Sequence, residues 1–182
     1  LIALETVPGG HAMPDRPESM TYVSGGQGLW STLDDYLRFA RMFVEQGTVD
    51  GVRLLRPDTL AAMASNRLTA TQRANSDMFG LPIFAAGHGF GMGVAVVTEP
   101  DQADPTRCGG GAGAVGWPGA YGGWWQADPN DGSVLIFLAH NMVELDQFAN
   151  GIGLGAWEAI AQFQALGSAT LKPTGLRQTG GR

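Results

Sequence analysis

Lysine is almost missing from this chain: Lys172 is the one lysine among 11 basic residues in 182 positions. Against 17 acidic residues this leaves a formal charge of -6, which argues against nucleic acid as a partner, since that would call for a basic face. Cysteine is equally sparse. Cys108 stands alone, so an internal disulfide and a multi-cysteine zinc site are excluded. It sits in a glycine-rich loop without a neighbouring histidine and is read as a spectator thiol. Long apolar runs are also lacking. The longest, Val134 to Ala139, has the length of a buried strand and falls far short of the ~18 residues of a membrane span. Leu1 to Gly10 has no basic start and contains an acid and a proline, so no secretory signal is visible. A first residue other than Met leaves an upstream segment, signal or anchor open, with the cytoplasm favoured over the periplasm or secretion.

Several common chemistries lack their motifs. There is no G-x-S-x-G, and Ser24 in Tyr22-Val23-Ser24-Gly25-Gly26 has no glycine two residues earlier. His11, His88 and His140 are far apart and form no H-x-x-x-H or H-E-x-x-H pair, so no metal is expected, and His140 at the end of an apolar strand is read as structural. Gly89-Phe90-Gly91-Met92-Gly93 leads into a strand, whereas a dinucleotide loop needs a helix N-terminus there. Asp34-Asp35 suits the positive end of a helix dipole. Asp101 and Asp104 are expected to be solvated in a loop. None of these forms an acid–base pair.

What is present is a globular composition, 44% hydrophobic, with length enough for one domain and its core. Residues 1–29 are rich in Pro and Gly and are expected to be an extended approach segment. Ser31 with Asp34 resembles a capping box, and Leu33, Tyr36, Leu37, Ala40, Phe43 and Val44 share one helical face, closed by Gly47. Pro57 opens a second helix. The polar stretch from Asn66 to His88 predicts a loop, and 89–97 a glycine-laced strand. The densest signal follows: residues 115–129 carry four glycines, three tryptophans and a tyrosine before breaking at Asp128-Pro129. Glycine inside a strand marks a bulge or the close approach of a ligand to the backbone, so this strand is expected to wall a site. Its hairpin partner begins at Ser133, after the turn chemistry of Asp128 to Gly132. A closing helix between Leu145 and Leu166 places Phe148, Ile152, Ala156, Ile160 and Phe163 on one face. The expected division is therefore 1–88 as approach segment and helical part, 89–170 as three antiparallel strands plus the closing helix, and 171–182 as a flexible tail.

Three ordered stretches resemble the C-terminal half of the serine β-lactamase-like hydrolases, which include class C β-lactamases, DD-peptidases and family VIII esterases. Ser24-Gly25-Gly26-Gln27-Gly28-Leu29-Trp30-Ser31-Thr32 through Asp35-Tyr36-Leu37-Arg38-Phe39 is similar to the family's S-G-G-G-G-L-x-S-T-x-x-D-Y-x-R-F signature. Gly51 to Leu60 resembles D-G-x-R-L-L-S-P-x-T, and the third stretch runs from Gly89 through the wall strand to Pro129. The resemblance implies an α/β (α+β) fold, an antiparallel sheet flanked by helices, incomplete in this chain.

Trp117-Pro118-Gly119 occupies the place of the family's K-T-G, H-x-G or W-x-G motif. By resemblance, the Ala120 amide is one of two oxyanion donors, an interaction typically worth ~3–4 kcal/mol in the transition state. Trp117, Pro118, Gly119 and Tyr121 would contact substrate, with Trp117 apolar where β-lactamases place a cation. That favours neutral esters over β-lactams among small acyl substrates. Pro118 replaces the usual small residue but has no N–H to lose at a ligand-facing edge. No cofactor is implied. The family's S-x-x-K is absent, because Ala169 stands three residues before Lys172, and Tyr22-Val23-Ser24 matches the catalytic Y-x-N/S in letters only, since it runs straight into the glycine segment that in the family lies well after the catalytic tyrosine. Nucleophile, lysine and tyrosine are thus expected upstream of Leu1, in an N-terminal half joined covalently or as a separate chain. By resemblance that half would also supply two strands and a helix, and the present chain alone would leave unpaired strand edges and uncovered apolar faces. A non-catalytic binding module that keeps the groove is the alternative.

Overall fold

A computed structural model describes residues 5–6, 29–78, 81–84, 86–143 and 145–171. Ser24 to Gly28, Tyr22, His11, Lys172, the rest of the expected approach segment up to residue 28 apart from residues 5–6, and all but residue 171 of the expected tail lie outside the described residues.

The first helix, α1 (Leu33–Val44), is capped by Thr32, whose hydroxyl accepts from the Asp35 amide at 3.2 Å. The cap is therefore one residue later than the Ser31–Asp34 pairing predicts; the Ser31 hydroxyl instead donates to the Thr32 carbonyl oxygen. Asp34 and Asp35 lie in the first turn, where the helix dipole favours carboxylates. Thr32→Ala is expected to cost about 1 kcal/mol and Ser31→Ala close to nothing, read from thermal denaturation midpoints. Equal losses would return the cap to Ser31.

Helices α2 (Pro57–Met63) and α3 (Ala70–Ala74) follow. The stretch 66–88, expected to be a loop, carries α3 and a two-residue ladder pairing Asp77–Met78 with Leu81–Pro82. Helix α3 is short, and its apolar periodicity is too brief to register. Its start is nonetheless written in the chain, since Thr69 and Gln72 form a reciprocal capping box.

The sheet corrects the strand count. Five strands replace the expected three: β1 (His88–Phe90), β2 (Ala95–Val97), β3 (Val115–Pro118), β4 (Trp124–Asp128) and β5 (Ser133–Phe137). They form an antiparallel meander in which each strand pairs with its sequence neighbours. Two stretches expected to be continuous strands are hairpins. In 89–97 the chain turns through Gly93, at φ +82°, and the Gly91 amide donates to the Val94 carbonyl at 2.8 Å. In 115–128 it turns through Gly119 to Gly123. Gly93, Gly119 and Gly122 therefore mark reversals, whereas Gly89 and Gly116 stay within paired strands. The turn from Asp128 to Gly132 and the pairing of β5 with β4 follow the sequence expectation, with Ser133 opposite Asp128.

The closing segment divides into α4 (Leu145–Ala149) and α5 (Gly155–Leu171). Ile152 falls between them and is exposed, while Ile160 is fully buried and Phe163 meets Trp124 and Phe137 edge to face or tilted. The glycines at 151 and 153 have positive φ, which separates the two helices.

The main core joins Ala40, Met42 and Phe43 of α1 and Leu60 of α2 to Val94, Val96, Val115, Trp125 and Ala127 on one sheet face. Leu33 and Leu37, although on the predicted apolar face, remain 52% and 37% exposed. They flank β5, the last strand of the sheet order. The opposite side holds Ala95, Val97, Cys108 and Ala114 with Phe84. Here the glycine-rich loop 108–113 is fixed by buried polar side chains: Gln126 Oε1 accepts from the Gly109 amide at 2.8 Å, Asp128 Oδ2 from the Gly111 amide at 2.6 Å, and His88 Nε2 bonds the Cys108 carbonyl at 2.7 Å. Among the described residues no helix is long and apolar enough to cross a membrane.

Candidate active site

The end of β3 is the feature from which the site is built. Val115 and Gly116 pair with β2 on one side and with β4 on the other. Among the described residues Trp117 and Pro118 pair only with Trp125 and Trp124 of β4, because β2 begins at Ala95, opposite Gly116. On the β2 side the last two residues of β3 therefore form an open strand edge. Proline is tolerated at such an edge because no ladder bond needs its N–H.

Beyond Pro118 the chain reverses tightly. The Gly122 amide donates to the Gly119 carbonyl at 3.0 Å, and the Gly119 amide to the Gly123 carbonyl at 2.6 Å. Neither Ala120 nor Tyr121 has positive φ, so 119–122 has the pattern of a type I turn with Ala120 at its second position. Ala120 is exposed, and its amide donates to no other described residue. Tyr121 anchors the turn: its carbonyl accepts from the Asn141 amide at 2.8 Å, and its ring lies 5.1 Å from that of His140.

Trp117 is held on two sides. Its ring stacks on Phe84 at 6.3 Å and meets Phe90 edge-on at 5.2 Å; the Arg107 guanidinium lies over the Phe84 ring at 5.7 Å. It still keeps 36% of its surface exposed. Across the sheet Trp125 is buried among Tyr36, Phe39 and Phe43, with centroids 6.0, 5.4 and 5.5 Å away. Both tryptophans line a cleft of about 270 Å³. Trp117 and Gly119 line it together with Tyr36 and Phe39 of α1, Gly93, and Leu138 after β5. Pro118, Ala120 and Tyr121 are neighbours in the chain but are not among its lining residues.

The α1 contribution was missed in the sequence. The signal available was the i, i+3 spacing of Tyr36 and Phe39, which places two rings side by side on a helix. Burial raises the Tyr36 pKa above its ordinary value, so its hydroxyl stays neutral. His88 is driven the other way, its pKa lowered by burial against the opposing pull of the Cys108 carbonyl, which keeps the imidazole neutral in a structural role. Burial also pushes the Cys108 thiol far up, and a thiol that does not ionise is no nucleophile. Among the described residues no group of three His, Cys, Asp or Glu is placed to hold a metal.

A mixed α/β chain with an antiparallel sheet flanked by helices is the architecture of the β-lactamase and transpeptidase-like proteins. The Beta-lactamase family model matches residues 3–154, and the chain belongs to that family of serine hydrolases, which embraces esterases, β-lactamases and penicillin-binding proteins. Two relatives from Mycobacterium tuberculosis, Uncharacterized protein MT1414 (strain CDC 1551 / Oshkosh) and Protein Rv1367c (strain ATCC 25618 / H37Rv), are each 47% identical over 125 residues. The match covers 69% of this chain and 31% of each relative, so the chain spans about a third of their length. Among solved structures, the LovD9 mutant of simvastatin synthase from Aspergillus terreus superposes with a TM-score of 0.53 at 19% identity, covering 80% of this chain and 36% of that one. The LovD6 mutant gives 0.50 at 22% identity, covering 78% and 36%. These likenesses concern the fold.

Proposed function

We propose that this chain supplies the substrate-docking strand and one oxyanion donor of a serine acyl hydrolase, acting on neutral esters in preference to β-lactams. The observation that carries it is the open edge of Trp117-Pro118 running into a turn whose Ala120 amide is unengaged. A substrate laid along that edge brings its carbonyl oxygen towards an amide that needs no rearrangement to donate. The serine oxygen attacks the carbonyl carbon, negative charge gathers on the carbonyl oxygen beside the Ala120 N–H, and the alcohol leaves with a proton. Water then releases the acid by the same route. No cofactor enters these steps. The apolar Trp117 surface supports a neutral substrate, since an unpaired charge set against it loses hydration without compensation.

In this reading the serine, lysine and tyrosine belong to an N-terminal half, as the same polypeptide or a second chain. Support comes from β5, the last strand of the sheet order, bordered by exposed Leu33 and Leu37. Such an edge is one that proteins cover or pair. The test compares the full-length polypeptide with the 182-residue chain against p-nitrophenyl esters and nitrocefin. Turnover is expected from the full-length protein, faster on the esters, and none from the chain alone. Substantial turnover by the chain alone would overturn the external nucleophile. No turnover by either would turn the conclusion to a non-catalytic binding module.

A further inference from the structure

The cleft has features that the docking strand does not require. Its two tryptophan walls are fixed before any ligand arrives: Trp125 by three rings of α1, Trp117 by Phe84 and Phe90. No lining residue carries a charged side chain. Gly123 is one of its lining residues. A Cβ added to Gly123 would meet no atom within 4 Å, so the backbone does not need glycine there for packing. Its φ is not in the left-handed region either. At about 270 Å³ the cleft lies just below the ~300–1,000 Å³ of sites that enclose whole ligands. It suits one substituent, with the remainder of the molecule outside. Gly119, which lines the cleft, immediately precedes Ala120, so a group seated there is continuous with an ester at the proposed oxyanion donor.

We infer that this cleft, between α1 and the β3–β4 turn, seats a neutral aromatic substituent of the ester, with Phe39, Trp117, Trp125 and Gly123 determining specificity. The assignment rests on the hydrolase reading and narrows its substrate class. Ring faces offer offset or edge-on partners to an incoming ring at ~4.5–7 Å. A carboxylate or ammonium group would lose its hydration in the cleft with no counter-charge to replace it. Tyr36 lines the cleft without adding charge, since a tyrosine phenol is neutral near pH 7.

The test uses the full-length polypeptide and three esters: ethyl phenylacetate with its ring on the acyl side, benzyl acetate with its ring on the alcohol side, and ethyl acetate with none. One ring-bearing ester should exceed ethyl acetate in kcat/KM by at least about tenfold, the discrimination a well-filled apolar pocket provides. The ester that responds identifies the side seated in the cleft. Gly123→Val fills the cleft and should collapse that ratio by about tenfold. Phe39→Leu, at a partly exposed helix position, removes one ring wall and should lower the ratio severalfold; it carries the test alone if Gly123→Val fails to fold by circular dichroism. N-benzylacetamide, which is not turned over, should quench tryptophan emission in the parent protein and lose this effect in the variants. Ester hydrolysis with an unchanged ratio in both variants would overturn the cleft assignment and leave the hydrolase reading standing. Amide binding that the variants abolish, in a protein that hydrolyses no ester, would retain the cleft and overturn the hydrolase.

Discussion

Ala120→Pro in the full-length enzyme is expected to lower kcat on p-nitrophenyl esters by about 10²–10³-fold, the usual consequence of losing one oxyanion donor. The substitution suits this position because it removes little else. Ala120 is the second residue of a type I turn, where proline's fixed φ is favoured. Gly119 before it tolerates the restriction that proline imposes on its predecessor. The missing N–H breaks no bond to another described residue, and the side chain is exposed. Thermal stability should therefore stay within about 2 °C of the parent, since a gain or loss near 0.5 kcal/mol moves the midpoint by roughly that much in a domain of this size. KM should change far less than kcat, because the donor acts on charge that develops only in the transition state. Ala120→Gly, which keeps the N–H, should retain kcat within a few-fold. An unchanged kcat in the proline variant would assign the oxyanion to another donor.

The second large effect is structural. Gly116→Val is expected to destabilise the protein by about 3 kcal/mol, the upper end of ordinary overpacking, and to lower its melting midpoint by roughly 6–12 °C. A Cβ at Gly116 would lie 2.3 Å from the carbonyl oxygen of Trp125 and 3.2 Å from the Cys108 sulfur. The first contact is with paired sheet backbone, which cannot swing aside. Cys108→Ala in the same chain should therefore fail to restore stability, because it relieves only the sulfur. Gly123→Ala, directed into open space, should be nearly neutral. A full rescue by Cys108→Ala would place the constraint in the loop and not in the β3–β4 ladder.

These two sites separate meanings that a run of glycines merges. In the sequence, Gly116, Gly119, Gly122 and Gly123 all fit a strand that lets a ligand approach. Gly116 instead admits its own neighbours, Gly119 and Gly122 close a turn, and Gly123 leaves open space. None of these differences is local. Each depends on what the fold brings opposite the residue, which spacing along the chain does not record. Likewise Gln126, Asp128 and His88, nearly fully buried, look like ordinary surface candidates until the loop 108–113 folds over them and uses their hydrogen-bonding atoms.

By itself the sequence determined the helices around Leu33–Val44 and Pro57–Met63, the turn at Asp128 to Gly132, the β5 strand after it and the order of the family motifs. These rest on short-range physics: apolar period, capping, turn chemistry and residue types a few positions apart. Only the tertiary structure decided that two apparent strands are hairpins, that Leu33 and Leu37 stay exposed, and that Tyr36 and Phe39 share a cleft with Trp117 and Trp125. The last pairing joins residues some eighty positions apart. Their meeting is set by how α1 crosses the completed sheet, and contacts of that range exist only once the sheet has formed.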